Sequence, residues 1–219
     1  FGQMRQRVLR QFSQRTEMLA GVSHDLRTPL TRMKLQLAML ERRPEIKELE
    51  DDVHDMQKMI EGYLAFARGE GTETPINTNL QKLIGDVVAA EKRDGSKINL
   101  TMSIPNQQPI EVRPQAMKRA ITNLISNSKR YGKKLEVQLI RDKEAVMLIV
   151  DDDGPGIPTE FHEDVFKAFF RLEPSRNPQT GGTGLGLTIA RDIARSHGGE
   201  LELGKAPIGG LRAVINIPV

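Results

Sequence analysis

One short stretch sets a nucleophile beside an acid. It reads Ser23-His24-Asp25-Leu26-Arg27-Thr28-Pro29-Leu30. The apolar seam of a helix here passes through Val22, Leu26 and Leu30, and His24 lies two residues from the first two of these. That spacing puts it off the seam, near the solvent face. A neutral imidazole is a good nucleophile towards phosphorus, or a good base. Asp25 is placed to orient the ring or take its proton, and Thr28 follows one turn on, on the same face. Pro29 lacks an N–H and crowds the carbonyl of residue 25, so a bend is expected beside His24. The residues alone leave two readings open, a reactive histidine and an ordinary exposed one.

A second constellation lies further along. Asn123 and Asn127 are one helical turn apart, with Arg130 and Tyr131 just after them. An asparagine carbonyl is a neutral oxygen ligand suited to Mg²⁺, and an arginine can bridge phosphate oxygens. The plainer reading is local hydrogen bonding by the two amides. An apolar run, Ala145–Val150, then leads into Asp151-Asp152-Asp153-Gly154-Pro155-Gly156-Ile157. A carboxylate pointing inward there can accept a hydrogen bond from a purine amino group, and the glycines let the chain turn against a flat ligand. Last comes Gly181-Gly182-Thr183-Gly184-Leu185-Gly186-Leu187, directly before an apolar helix. Bare backbone N–H groups at a helix start make an anion cradle. No Gly-Lys-Ser/Thr follows, and the strand, turn and acid of a dinucleotide fingerprint are missing. The polar span 168–182, with Phe166, Phe169 and Phe170 at or before its start, reads as a mobile lid anchored by aromatics. Together these elements suggest a nucleotide–Mg²⁺ site; the alternative is a turn-rich domain with incidental glycines.

The elements that must hold these residues follow from periodicity. Phe12, Leu19, Val22, Leu26, Leu30, Met33, Leu37 and Leu40 recur mostly at three and four, and Ile46, Leu49, Val53, Met56, Ile60, Tyr63 and Ala67 do so strictly. With a short turn at Arg42-Arg43-Pro44, they predict an antiparallel helical hairpin over residues 1–68. One hairpin leaves apolar surface in water, and pairing two closes a four-helix bundle, so a homodimer is expected. The alternative covers the hairpin with the chain's own second domain. Residues 69–76, rich in glycine and small polar residues, read as a linker. Residues 77–219 read as a mixed sheet with helices over one face: helices at 80–91, 114–128 and 185–196, strands at 98–104, 110–112, 135–140, 145–150, 201–203 and 211–217. The fold class is α+β.

Composition narrows the functions. The 219 residues contain no cysteine, which excludes a disulfide scaffold, a thiolate zinc site and a cysteine nucleophile. No stretch approaches the length of an apolar membrane span. The chain begins at Phe1 and reads as a fragment or a processed product. The net charge of +3 conceals a pattern: residues 1–43 carry +6 and residues 44–73 carry −6. Adjacent blocks that cancel fit two facing helices better than a nucleic-acid footprint, so no nucleic-acid partner is expected.

The motifs, in this order, resemble the catalytic core of the bacterial two-component sensor histidine kinases, in particular their osmosensor branch, over about residues 15–219. The resemblance implies that SHDLRTPL is the H box. His24 is then the phosphorylated residue, Asp25 its proton-transfer neighbour, and Thr28 the residue that positions water for dephosphorylation of the partner. NLISNSKRYG matches the N box, implying Asn127 as Mg²⁺ ligand, Asn123 on the phosphate side, and Arg130 and Tyr131 as contacts to phosphate and adenine. DDGPG matches the G1 box, with Asp152 reading adenine and Gly154 and Gly156 as turn glycines. FKAFFR matches the F box, which includes Phe170 and Arg171. GGTGLGL matches the G2 box, with Gly182, Thr183, Gly184, Leu185 and Gly186 around the triphosphate. Ser128 replaces a common alanine, and Asp25 a common glutamate.

The implied fold is a dimeric helical hairpin followed by the ATP-binding α/β sandwich shared with gyrase, Hsp90 and MutL. The implied ligands are ATP and Mg²⁺. The implied partners are a second copy and a response-regulator receiver domain. The implied setting is the cytoplasmic portion of a membrane-anchored bacterial inner-membrane protein. Two rivals stand beside this reading: a same-fold ATPase that drives conformational change, and a dimerising scaffold with a degenerate nucleotide site.

Overall fold

The computed structural model describes residues 21, 25–40, 43–68, 73–103, 109–142, 144–172 and 183–219. The chain forms two compact units, the second comprising Glu73–Ser175 and Gly184–Val219. In the first unit, residues 25–38 are helical (α1) and pass through Pro29 without a break. Pro44–Arg68 forms α2. Pro44 opens it at a position whose N–H would have no helical partner, and Glu45 sits in the first turn, where a negative charge is favoured. Among the described side chains of α1 and α2, only Leu30 and Val53 are buried. Each lies eleven residues from the Glu41–Arg42 pair, the symmetry expected of an antiparallel hairpin. Leu26, Met33, Leu49 and Met56, all on the predicted seams, remain exposed. His54 is a surface residue of α2, as its place beside the seam predicts.

The second unit is built on a five-stranded sheet in the order β2-β4-β5-β7-β6. Its strands are β2 Lys97–Ser103, β4 Lys134–Arg141, β5 Ala145–Asp152, β6 Glu200–Lys205 and β7 Leu211–Pro218. β2 and β4 are parallel, and the other neighbours are antiparallel. Two short strands, β1 Ile76–Thr78 and β3 Ile110–Val112, pair separately and antiparallel. The alternation of the central strands decides which face is covered. Val137, Leu139, Val146, Leu148, Val150, Ala213 and Ile215 are buried, while the intervening Gln138, Met147 and Val214 are only partly so.

Three helices pack together with this sheet: α3 Leu80–Glu91, α4 Pro114–Tyr131 and α5 Gly186–Ser196. Asn79 caps α3, its side chain accepting from the Lys82 N–H at 3.0 Å. Helix α4 touches α3, α5, β4 and β5 and is the centre of the domain. Its Ile121, Leu124 and Ile125 are almost fully buried. Burial of each is worth about 1.5–3 kcal/mol, which outweighs the few tenths that a β-branched isoleucine costs a helix. The helix runs three residues beyond the expected Ser128. Lys129 and Arg130 favour the negative end of its dipole, and the Gly132 N–H bonds the Ser128 carbonyl at 2.7 Å. His197 caps the C-terminus of α5, where the sequence places a helix end.

Candidate nucleotide site

The three consecutive aspartates at the end of β5 each find separate donors, because a strand turns alternate side chains to opposite faces. Asp151 is fully buried and takes a two-pronged contact from Arg212, at 2.8 and 2.7 Å. Asp153 Oδ1 accepts the Lys133 and Lys134 N–H groups at 2.6 and 2.9 Å. The amides of Lys134 and Lys133 hold its carboxyl below the usual carboxylate range. A carboxyl depressed by folding stabilises the fold above its unfolded pKa, and that contribution disappears as pH falls through the folded value. The wild type should therefore lose melting temperature more steeply than Asp153→Asn as a pH series passes below about 4. Parallel acid arms would contradict this.

Asp152 points inward and is 2% exposed. Its Oδ1 accepts the Gly154 N–H at 2.9 Å and the Leu211 N–H at 3.0 Å, and its backbone carbonyl accepts the Gly210 N–H at 3.0 Å. Both bonds to the carboxylate end on Oδ1, and Oδ2 has no donor among the described residues. A fixed carboxylate with one free oxygen is a specific acceptor for an amino group. Close approach explains the glycines around it. A Cβ on Gly154 would lie 2.8 Å from the Tyr131 carbonyl, and one on Gly132 would lie 2.9 Å from the Asp152 Cβ. Gly156 adopts φ +72° beside Gly210. Gly210 leaves no room for a side chain against Asp152 and Gly154. No motif marks it in the sequence, where its signal is the Gly209-Gly210 pair between two strands.

The middle of α4 meets the start of α5. Asn123 lies about one van der Waals contact from Gly186: a Cβ on that glycine would sit 3.9 Å from the Asn123 Cβ. The Asn123 Nδ2 is buried and has no hydrogen-bond partner among the described residues. Asn127, one turn on, is half-buried, and its side chain also has no partner there. Arg130 and Tyr131 are exposed at the C-terminal end. Asn123 and Tyr131 are eight residues apart, about 12 Å along the helix. A single helix thus joins the carboxylate end of the site to the glycine-rich end.

Aromatic residues brace the glycine-rich end. Gly184 has φ +68°, and a Cβ there would lie 2.8 Å from Phe169 backbone atoms and 3.0 Å from the Phe170 carbonyl. The Phe169 N–H bonds the Gly184 carbonyl at 3.0 Å, and Phe169 itself holds φ 66°. Leu185 is fully buried and anchors the turn into α5. The Phe170 ring lies 6.3 Å from the Phe161 ring. Arg191 on α5 stacks 4.2 Å above Phe166 and pairs with Glu163 and Glu200, each at 2.9 Å. Its hydrogen bond holds the Glu163 carboxyl below the usual range.

The structure therefore brings Asn123, Tyr131, Asp152, Gly154, Gly156, Phe170, Gly184, Leu185 and Gly186 into one connected set, with Asn127 and Arg130 on the same helix. Arg171 is exposed beside Phe170. Thr183 groups with the first unit. Gly182, most of the expected lid and His24 lie outside the described residues. Asp25 and Thr28 are exposed on α1. An open groove of about 480 Å³ runs beside Thr28, lined by Arg27, Thr31, Arg32 and Leu35.

Among the described residues, a buried amide nitrogen without a partner facing bare backbone, and a carboxylate with one free oxygen, fit the two ends of a purine nucleotide. No group of three or more His, Asp or Glu side chains suited to a metal occurs among the described residues. A neutral Asn127 oxygen fits an ion that keeps its waters and is held largely by phosphates.

Comparison with known proteins supplies the family. Residues 112–219 match the family described as histidine kinase-, DNA gyrase B-, and HSP90-like ATPase, and residues 14–72 match the His Kinase A (phospho-acceptor) domain. The solved histidine kinase domain of the E. coli osmosensor EnvZ is 34% identical, with 68% of this chain and 92% of that one covered and a TM-score of 0.52. The chain belongs to the sensor histidine kinases. Sensor histidine kinase CpxA of Escherichia coli (strain K12) is 34% identical over 100% of this chain and 50% of its own length. Sensor protein RstB of the same strain is 31% identical over 100% of this chain and 52% of its own length. The chain thus spans about half the length of these curated relatives. As a histidine kinase core, it carries His24 within the phospho-acceptor match, and its nucleotide candidates from Asn123 to Gly186 lie within the ATPase match. No helix among the described residues is long and apolar enough to cross a membrane.

Proposed function

We propose that this kinase core transfers the γ-phosphoryl group of ATP to His24 and then to an aspartate of a separate receiver domain. The observation that carries the reading is the double duty of α4. Its Asn123 faces the bare start of α5, and its C-terminal end packs on the turn that fixes Asp152. ATP has its adenine amino group at the Asp152 Oδ2 and its phosphates at the glycine-rich start of α5. Arg130 and Tyr131 flank it at the end of α4. Gly184, Leu185 and Gly186, with Gly182 and Thr183 before them, supply backbone N–H groups around the phosphates, while Phe170 and Arg171 brace the loop. Asn127 holds Mg²⁺, which when bound offsets phosphate charge.

The His24 ring nitrogen distal to Asp25 attacks phosphorus. The new N–P bond forms as the bond from the γ-phosphorus to the bridging oxygen breaks, and ADP leaves with that electron pair. Asp25 orients the ring and takes its proton. The second unit reaches His24 by movement about the linker, and residues 1–68 and 77–219 act as the acceptor and ATP-binding domains. The exposed Leu26, Met33, Leu49 and Met56 support pairing of two hairpins into a four-helix bundle. The groove beside Thr28 is part of the surface offered to the receiver. The full-length protein is anchored in the bacterial inner membrane with this core on its cytoplasmic side.

The same surface supports the reverse task. Thr28, four residues from His24, positions water for hydrolysis of the receiver's phosphoaspartate. Thr28→Ala should slow that hydrolysis by at least about tenfold and leave formation of phosphohistidine within about twofold. The measurement follows loss of label from a phosphorylated receiver beside autophosphorylation of the same preparation. Equal loss of both rates would contradict the assignment. Nucleotide titration of the wild type with and without Mg²⁺ tests the reading as a whole, and absence of ATP binding would overturn it.

A further inference from the structure

The N-terminus of α4 breaks a local rule. Its N-cap residue is Arg113, which carries only donors and caps nothing. The N–H groups of the first turn are instead satisfied from forty residues upstream. Glu73 Oε1 accepts the Gln115 N–H at 2.8 Å, and its Oε2 accepts the Ala116 N–H at 3.0 Å. Arg113 completes the attachment from the other side. Its Nε donates to the Glu73 backbone carbonyl at 3.0 Å, and its Nη1 donates to the Ser196 carbonyl, also at 3.0 Å. The Arg113 N–H donates to His197 Nε2 at 2.9 Å. That bond places the imidazole proton on Nδ1, which donates to the Ile193 carbonyl at 2.7 Å. Glu73 is thus clasped to the start of α4 and, through Arg113 and His197, to the end of α5. Three residues on, β1 pairs with β3, Ile76 opposite Val112.

The position of this clasp gives it meaning. Glu73 is the first residue of the second unit, and the phospho-acceptor match ends at residue 72. The helix it caps is the one that bears Asn123 and Asn127. We infer that Glu73 is a positioning residue for phosphoryl transfer, fixing the end of the interdomain connection to the nucleotide-bearing helix. The clasp then holds Asn123 and Asn127 in fixed register with the chain's entry into the second unit, so that losing it slows transfer without weakening ATP binding. This inference rests on the kinase reading given above.

The test compares the wild-type chain with Glu73→Ala and with the milder Glu73→Gln, which keeps one acceptor. Three quantities are read: the Kd for ATP, the rate of phosphohistidine formation at saturating Mg²⁺-ATP, and amide hydrogen exchange at Gln115 and Ala116. Expected for Glu73→Ala are faster exchange at both amides, an ATP Kd within about twofold of wild type, and a phosphorylation rate lowered about fivefold or more. Glu73→Gln should fall between. Faster exchange with an unchanged rate would overturn the inference, leaving Glu73 a helix cap only. A rise in Kd that accounts for the lost rate would overturn it too, because the effect would then lie within the ATP site. A wild-type chain that binds ATP and forms no phosphohistidine would sink the kinase reading itself, and this inference with it.

Discussion

His24→Gln should abolish incorporation of phosphate from γ-labelled ATP while leaving the Kd for ATP within about twofold of wild type. Glutamine keeps a polar side chain of similar reach on the helix but has no nitrogen lone pair basic enough to attack phosphorus. The stability of the hairpin should change little, since His24 lies off the apolar seam that Val22, Leu26 and Leu30 define. The two readouts separate because the nucleotide residues all belong to the other matched domain. In the proposed function, phosphate binding draws on Asn123 and the start of α5, and base recognition on Asp152. Undiminished labelling of the variant would remove His24 from the mechanism. Weakened ATP binding in step with lost labelling would mean that the variant had failed to fold.

Asp152→Asn should raise the Kd for ATP about 30-fold, corresponding to about 2 kcal/mol for one charge-assisted hydrogen bond. The substitution is nearly isosteric. An asparagine Oδ1 still accepts from the Gly154 and Leu211 N–H groups, so the turn is preserved. The free Oδ2 becomes an amide NH₂, which meets the purine amino group donor to donor. The loss should therefore be specific to the base, and GTP, with a carbonyl at that position, should lose far less or gain. Isothermal titration with both nucleotides reads this directly. Equal weakening of ATP and GTP would show that Asp152 acts only by holding the turn.

How much of this was legible in the residues follows from what each feature depends on. Helices α3, α4 and α5 are strongly periodic, and their caps or breakers, Asn79, Pro114 and Gly198-Gly199, sit in the sequence beside them. The strands of the main sheet alternate clearly enough to place, to within two or three residues at their ends. The chemistry-bearing residues came in runs whose types are unusual, such as three aspartates followed by two spaced glycines. Partnerships between distant segments were not legible. Strand β1 is three residues long, too short to show a period, and exists because β3 offers it a partner. The capping of α4 by Glu73 joins residues forty apart, and nothing near Arg113 announces it. Gly210 matters because a hairpin turn from elsewhere in the chain lies against Asp152. The sharing-out of donors among Asp151, Asp152 and Asp153 likewise depended on Arg212, Leu211 and Lys134, each brought in by a neighbouring strand or loop.

His24 phosphorylation is tested most directly by phosphorus NMR of the wild-type chain after incubation with Mg²⁺-ATP, with peptide mapping under alkaline conditions and brief acid treatment of a separate portion. Expected is a phosphoramidate signal that is lost in acid, survives alkali and maps to the peptide bearing His24. Inorganic phosphate released with no such signal, or an acid-stable phosphoryl group on a hydroxyl residue, would contradict it.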